Sequence, residues 1–305
     1  MQKPMNRKLL GNFFLFLTAM IWGLAFVAQR EGATRIEPAV FTASRMALAT
    51  MTVGVVLLFS KGMKKTDAFV KSNVAADSKN ENLRGGVTCG VFLAAACLLQ
   101  QMGLRSTTAG KAGFITAMYI LFVPIIHTIV FHKKNLPSVW LAVMLGVIGM
   151  YLLCMTDGFR LTQGDTLVLL CALLYSGHIL CCDYFARRGD PLRIAGIQFL
   201  TCAVLCGILA AFTEHPQPEM FHSAVSEILY CGILSGGVGY TLQMVAQGFT
   251  DPSVASLLMS LESVFAAIFG VLLLGERMQP REFLGCFVLF VAIILVQLPE
   301  KTCIH

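Results

Sequence analysis

Runs of about twenty apolar residues recur from one end of the chain to the other, near 9–29, 37–59, 84–104, 108–131, 137–155, 164–185, 192–212, 226–247, 252–274 and 281–298. A helix rises about 1.5 Å per residue, so such runs are long enough to cross roughly 30 Å of hydrocarbon. Lipid offers the backbone nothing to bond, which restricts spanning segments to helices or closed barrels. The alternating pattern of a membrane barrel is absent. Only 13% of the 305 residues are charged and 56% are hydrophobic, whereas a soluble domain carries about a quarter charged. The expected fold is an all-α integral membrane protein with ten transmembrane helices. The first run follows Lys3, Arg7 and Lys8 as a secretory signal would, but about 21 residues is long for a cleaved apolar core, so it is expected to remain as helix 1.

The placement of charge gives an orientation. With the N-terminus taken as cytoplasmic, 15 of the 23 Lys and Arg fall on the inner side, in the N-terminal segment, the linker near 60–83, Arg84, Lys133, Lys134, Arg187, Arg188, Arg193 and Lys301. Seven fall outside, namely Arg30, Arg35, Arg105, Lys111, Arg160, Arg277 and Arg281, and Arg45 sits within a helix. An excess of Lys and Arg marks inner loops, which places both termini in the cytoplasm of a cell membrane. The net charge of +6 then needs no nucleic-acid partner. The eleven cysteines lie almost all inside apolar runs and no Cys-x-x-Cys occurs. They are expected to be small packing residues, neither disulfides nor metal ligands, and no metal or cofactor is expected.

The sequence matches itself. A displacement of 153 residues lays the first two runs on the sixth and seventh, pairing Gly11 with Gly164, Ala19 with Ala172, Trp22 with Tyr175 and Glu37-Pro38 with Asp190-Pro191. A displacement of 143 lays runs three to five on eight to ten, pairing Gln100 with Gln243 and Pro137 with Pro280. Each unit holds five helices, over 9–155 and 164–298. Because five is odd, the second unit enters the bilayer from the opposite side, so the repeats are expected to be inverted. Inverted repeats are typical of secondary transporters, whose sites lie near the midplane between the halves.

Polar residues inside the runs are the candidate site. Glu262 is the sole charge among 252–275, too deep for so short a side chain to reach a headgroup layer. It can bind a cationic group, carry a proton, or fix helix packing. Arg45 can pair with Glu262, bind a substrate carboxylate, or anchor a helix end. Its repeat equivalent is Gln198. Gln100 and Gln243 place a four-bond amide twice at one depth, fit either for a cavity or for tying helices together. Trp22 and Tyr175 lie too deep for an interfacial belt and are suited to wall a pocket for an organic solute or to pack the core. Tyr119, at the position equivalent to Glu262, and Tyr240 add hydroxyls nearby. Pro124 is expected to bend helix 4. His127 and His178 are expected to be packing residues. No phosphate-cradling Gly-rich loop with its Lys and no His-Glu-x-x-His is present, and no soluble domain is large enough to hydrolyse ATP.

The stretches "AMIWGLAFVAQR", "EPAVFTASRMALA", "TTAGKAGFITAMYILFVPII" and "SLLMSLESVFAAIFGVLLLGERMQP" resemble the drug/metabolite transporter superfamily, specifically its EamA-type members. The likeness covers nearly the whole chain, once per repeat. It implies a ten-helix inverted-repeat carrier in a cytoplasmic membrane, usually bacterial, with a central pocket walled by both repeats. Members often carry proline directly after the helix 9 glutamate; here Ser263 stands there. The family moves diverse solutes, so the cargo has to be read from the pocket. A lining of aromatics, amides and a single acid favours a small zwitterionic or amphipathic metabolite over a multiply phosphorylated one.

The function expected is a secondary membrane transporter, an exporter of amino acids or related small metabolites working by alternating access, with proton exchange as one form of coupling. The substrate-binding residues expected are Trp22, Arg45, Gln100, Tyr119, Tyr175, Tyr240, Gln243 and Glu262; none is catalytic and the chain is not expected to be an enzyme. Its partners are a small-molecule metabolite and the lipid bilayer, and nothing in the sequence specifies an oligomer. The alternative is a non-transporting membrane receptor or assembly subunit, which would need a docking domain beyond the linker near 60–83.

Overall fold

A computed structural model describes residues 7–60, 78–107, 109–132, 135, 137–154, 162–274 and 279–297. The basic linker over 61–77, Lys133, Lys134, Arg160, Arg277, the side chain of Cys154 and both termini lie outside the described residues. Among the described residues every regular element is helical. In chain order these are α1 (Arg7–Arg35), α2 (Pro38–Ser60), α3 (Ser78–Gly103), α4 (Ala109–Thr116), α5 (Tyr119–Phe131), α6 (Pro137–Cys154), α7 (Gln163–Ala186), α8 (Pro191–Thr213), the short α9 (Pro218–Ser223) and α10 (Val225–Leu229), a π-helical segment (Tyr230–Tyr240), α11 (Thr241–Gln247), α12 (Pro252–Met259), α13 (Glu262–Leu274) and α14 (Pro280–Gln297).

Among the described residues eight helical spans are long and apolar enough to cross a membrane, and two shorter apolar helices, Pro137–Leu152 and Phe283–Leu295, cover the fifth and tenth runs. The fourth, eighth and ninth runs are each divided into more than one helical piece, which hydropathy did not reveal. Helix starts follow local chemistry. Thr162 and Asp165 form a capping box ahead of α7, and Asp190 and Asp251 accept backbone N–H bonds at the proline-led starts of α8 and α12. The start of α2 is capped from across the fold, where the Glu214 carboxylate accepts from Ala39 N at 2.9 Å and Val40 N at 2.8 Å.

Burial is inverted relative to a soluble protein. Phe13, Met51, Phe59, Ile129, Phe212 and Phe287 are exposed on the outside, while Arg45, Gln100, Gln198, Gln243 and Glu262 are buried. An apolar exterior around a polar interior suits a lipid surround. Packing is paired as well. α3 lies against α7 and α8, while the π-helical segment lies against α1 and α2; α1 packs on α13 as α7 packs on α5. The helices α2 and α8 meet each other, as do α6 and α14.

Candidate functional site

Two helices break at equivalent places. Between α4 and α5, Met118 N bonds Ile115 O, Ile120 N bonds Ala117 O and Leu121 N bonds Met118 O, all three residues back instead of four. Between α12 and α13, Leu261 N bonds Leu258 O and Ser263 N bonds Ser260 O in the same tightened way. A short 3₁₀ stretch inside a helix often marks a functional hinge or a sequence under strain. The break in the fourth run is at Ala117–Met118, one to two turns before Pro124, and α5 continues through that proline. The break in the ninth run occurs with Ser263 in place of proline, and the Ser263 hydroxyl donates to Gly113 O of α4 at 3.3 Å. Each second half opens on a candidate residue, Tyr119 in α5 and Glu262 in α13. They meet directly, the Tyr119 hydroxyl donating to Glu262 Oε1 at 2.9 Å.

Around this contact lies a buried cavity with about 30 Å³ of room for water, enough for roughly two molecules. Trp22, Arg45, Gln100, Tyr119, Tyr175, Tyr240, Gln243 and Glu262 all line it. Phe26, Gln29, Thr116, His178, Ile179 and Ser235 complete the wall. Lining therefore comes from both halves of the chain.

The charged groups do not pair with one another. Arg45 is 1% exposed, its Nη1 donates to Gln29 Oε1 at 2.9 Å, and the guanidinium carbon stands 5.7 Å from the Phe41 ring centre. Among the described residues its Nε and Nη2 have no hydrogen-bond partner, and no ion pair joins it to Glu262. Both charges sit where backbones come unusually close. A Cβ on Gly232 would stand 2.9 Å from the Arg45 carbonyl oxygen, and one on Gly23 would stand 2.9 Å from that of Glu262. Only glycine permits that approach.

The neutral residues form a hydrogen-bonded wall. Tyr175 and Tyr240 hydroxyls lie 2.9 Å apart, with Cys97 Sγ 3.2 Å from the Tyr175 hydroxyl. Trp22 stacks near Tyr240, ring centres 4.6 Å apart, and donates its Nε1 proton to Ser235 O at 3.2 Å. That carbonyl belongs to the π-helical segment, a rare geometry most often found at functional sites. Gln100 donates to Thr116 Oγ1 at 3.1 Å; Gln243 donates to Gln247 Oε1 at 3.0 Å, and Gln247 donates to Ile179 O at 2.9 Å. This last chain fixes the Gln243 amide so that its Oε1 is left without a donor.

Comparison with known proteins agrees with this architecture. The profile of the EamA-like transporter family matches residues 9–155 and again 162–298. The chain belongs to the EamA-like transporter family. It is therefore a multi-pass membrane protein of a transporter family. A relative from Archaeoglobus fulgidus described as an uncharacterized transporter is 30% identical, over 96% of this chain and 87% of the relative. An S-adenosylmethionine/S-adenosylhomocysteine transporter of Chlamydia muridarum is 26% identical, over 88% of this chain and 85% of its own length. A solved crystal structure shares the fold with a TM-score of 0.72 at 15% identity, covering 94% of this chain and 96% of that one.

Several positions in this EamA-like chain were not legible as site residues. Gln29 lies at the end of the first run beside Arg30, where an amide reads as an interfacial residue, yet it is buried and holds Arg45. His178 lines the cavity while its Nε2 meets Gln198 Oε1 at 3.0 Å. His127 sits apart, in a cleft with Asp183, Arg187 and Asp251. Gln198, the repeat equivalent of Arg45, does not reach the cavity. Gln101 donates to Gln29 O at 3.1 Å and joins α3 to α1. A second polar cluster lies where α7 begins: Asp165, with no exposed side chain, accepts from Thr107 Oγ1 at 2.6 Å, Lys111 Nζ at 2.5 Å and Thr162 N at 2.7 Å. Among the described residues no group of His, Cys, Asp and Glu could hold a metal ion.

Proposed function

We propose that the chain is a secondary carrier that exports amino acids or closely related zwitterionic metabolites, by alternating access around the central cavity. In this reading ten helices form two inverted five-helix units in the cytoplasmic membrane, with both termini inside. The observation that carries it is the pair of helix breaks at equivalent positions of the two halves, which set Tyr119 and Glu262 against each other in the cavity. Discontinuous helices at corresponding points of two repeats are the usual scaffold of a midplane substrate site. The twofold family match and the paired packing support the repeat, since the main helix contacts of one half have counterparts in the other.

The size of the cavity supports alternating access. At about 30 Å³ it is closed down, so a metabolite enters only when one side opens, and the tightened backbone at 117–118 and 260–261 supplies two hinges. The lining supports a zwitterion. One cation and one acid face the same space with no ion pair between them, which complements a solute carrying both charges. Both solutes in the name of the Chlamydia muridarum relative bear an amino-acid head, which favours the same class.

Export from loaded proteoliposomes tests the reading. Purified protein should release labelled amino acids or amino-acid derivatives faster than empty-vesicle controls, and cells expressing it should show altered resistance to toxic amino-acid analogues. If Glu262 carries the coupling proton, Glu262→Gln keeps solute exchange but loses accumulation driven by a pH gradient. No transport of any solute in either assay would remove the carrier reading, and unchanged gradient-driven transport in Glu262→Gln would remove the proton role.

A further inference from the structure

We propose that the Nε and Nη2 edge of Arg45 is a carboxylate seat, and that a free carboxylate is the feature a solute must carry to bind in the central cavity. The inference rests on the carrier reading and narrows it to one recognition group. A guanidinium presents its N–H groups on distinct edges. Nη1 of Arg45 is engaged by Gln29 at 2.9 Å, while Nε and Nη2 are both without a partner at a residue 1% exposed. Those two are the pair whose N–H bonds run parallel on one side of the group. That spacing matches the two oxygens of a carboxylate and gives the bidentate geometry for which arginine is used.

A buried charge with most of its donors open is costly, and arginine does not escape by losing its proton. A structural anchor would have its fork filled from the protein. Among the described residues Gln29 is the sole hydrogen-bond partner, and the face of Phe41 at 5.7 Å adds only a cation–π contact. The position is also held deliberately close, since Gly232 of the π-helical segment lies against the Arg45 carbonyl.

The remaining lining selects carboxylate over phosphate. Among the described residues Arg45 is the one cation lining the cavity, so the wall offers a single positive charge, which a monoanion matches and a multiply charged phosphate does not. Gln243 Oε1, also buried and without a donor, offers an acceptor to an ammonium group. A monoanionic carboxylate bearing a cationic or donor group fits both.

The test uses intrinsic fluorescence. The chain has two tryptophans, so Trp140→Phe, on α6 and outside the cavity, leaves Trp22 as the only indole. Full-length protein in lipid nanodiscs is titrated with the twenty L-amino acids. Each one that shifts Trp22 emission is then compared with its amide and its decarboxylated amine, with inorganic phosphate and methyl phosphate as further probes. The expected result is binding of at least one amino acid, weakened on the order of 100-fold or more in the amide and the amine. Arg45→Lys, which keeps the charge but loses the fork, should weaken binding at least about tenfold, and Arg45→Gln should abolish it. The seat is overturned if amides bind as tightly as acids, if phosphate binds and no carboxylate does, if no amino acid perturbs Trp22, or if Arg45→Gln binds unchanged. The analogue series needs no change at Arg45, so it stands even where a variant fails to fold. Vesicle transport separates the two claims. Transport of amides at the rate of acids keeps the carrier and removes the seat, whereas Arg45-dependent binding without any transport keeps the seat and removes the carrier.

Discussion

Two cations are pulled into this membrane domain, and their surroundings are opposite. Lys111 meets an Asp165 carboxylate that also accepts from Thr107 and from the backbone of Thr162, so the acid is filled by the protein itself. Arg45 is the more buried of the two and keeps two of its three nitrogens open. The difference teaches how to tell structure from function among buried charges. A charge saturated by its own fold ties elements together, here α4 to the start of α7. A charge left with open donors at the wall of a cavity is what the proposed carboxylate seat requires.

That contrast sets the order of expected effects. Arg45→Gln should lower transport on the order of 100-fold, yet leave the thermal unfolding midpoint in detergent unchanged or higher, because it removes a buried charge that the fold does not fully bond. Asp165→Ala should do the reverse. It strands Lys111, Thr107 and the cap of α7, with an expected loss of about 2 kcal/mol in unfolding free energy and only a few-fold change in substrate affinity. If both variants lose stability alike, the distinction drawn between the two cations is broken. Gly232→Ala should have the smallest effect: a methyl group pressed against the Arg45 carbonyl displaces α2, costing roughly 1 kcal/mol and a several-fold rise in the half-saturating solute concentration. A Gly232→Ala protein with wild-type affinity would show that the position of Arg45 is not set by that contact.

The helices were legible because burying a backbone in lipid leaves one simple signature, a long apolar run. The eight candidate residues that line the cavity were legible for the complementary reason, since a polar group in such a run needs a cavity or a partner. What the runs concealed is which backbone bonds are made. No proline or glycine stands at Ala117–Met118 or Ser260–Leu261 to announce the breaks, and Pro124 drew attention to a point farther along the same run. The π-helical segment left only a trace, the crowded Gly236, Gly237 and Gly239, which read equally well as close packing. Partner choice was hidden too. Depth in a run suggested Glu262 as a counter-charge for Arg45, whereas the fold gives Arg45 to Gln29 and Glu262 to Tyr119. Sequence depth orders residues along the membrane normal but says nothing of their direction around each helix.

The most direct test compares thermal unfolding midpoints of the parent, Arg45→Gln and Asp165→Ala with and without a saturating amino-acid ligand, because a ligand stabilises only the state that binds it. The account predicts a rise of several degrees for the parent, no rise for Arg45→Gln, and a lower starting point with an undiminished rise for Asp165→Ala. An equal rise in Arg45→Gln and the parent would contradict it.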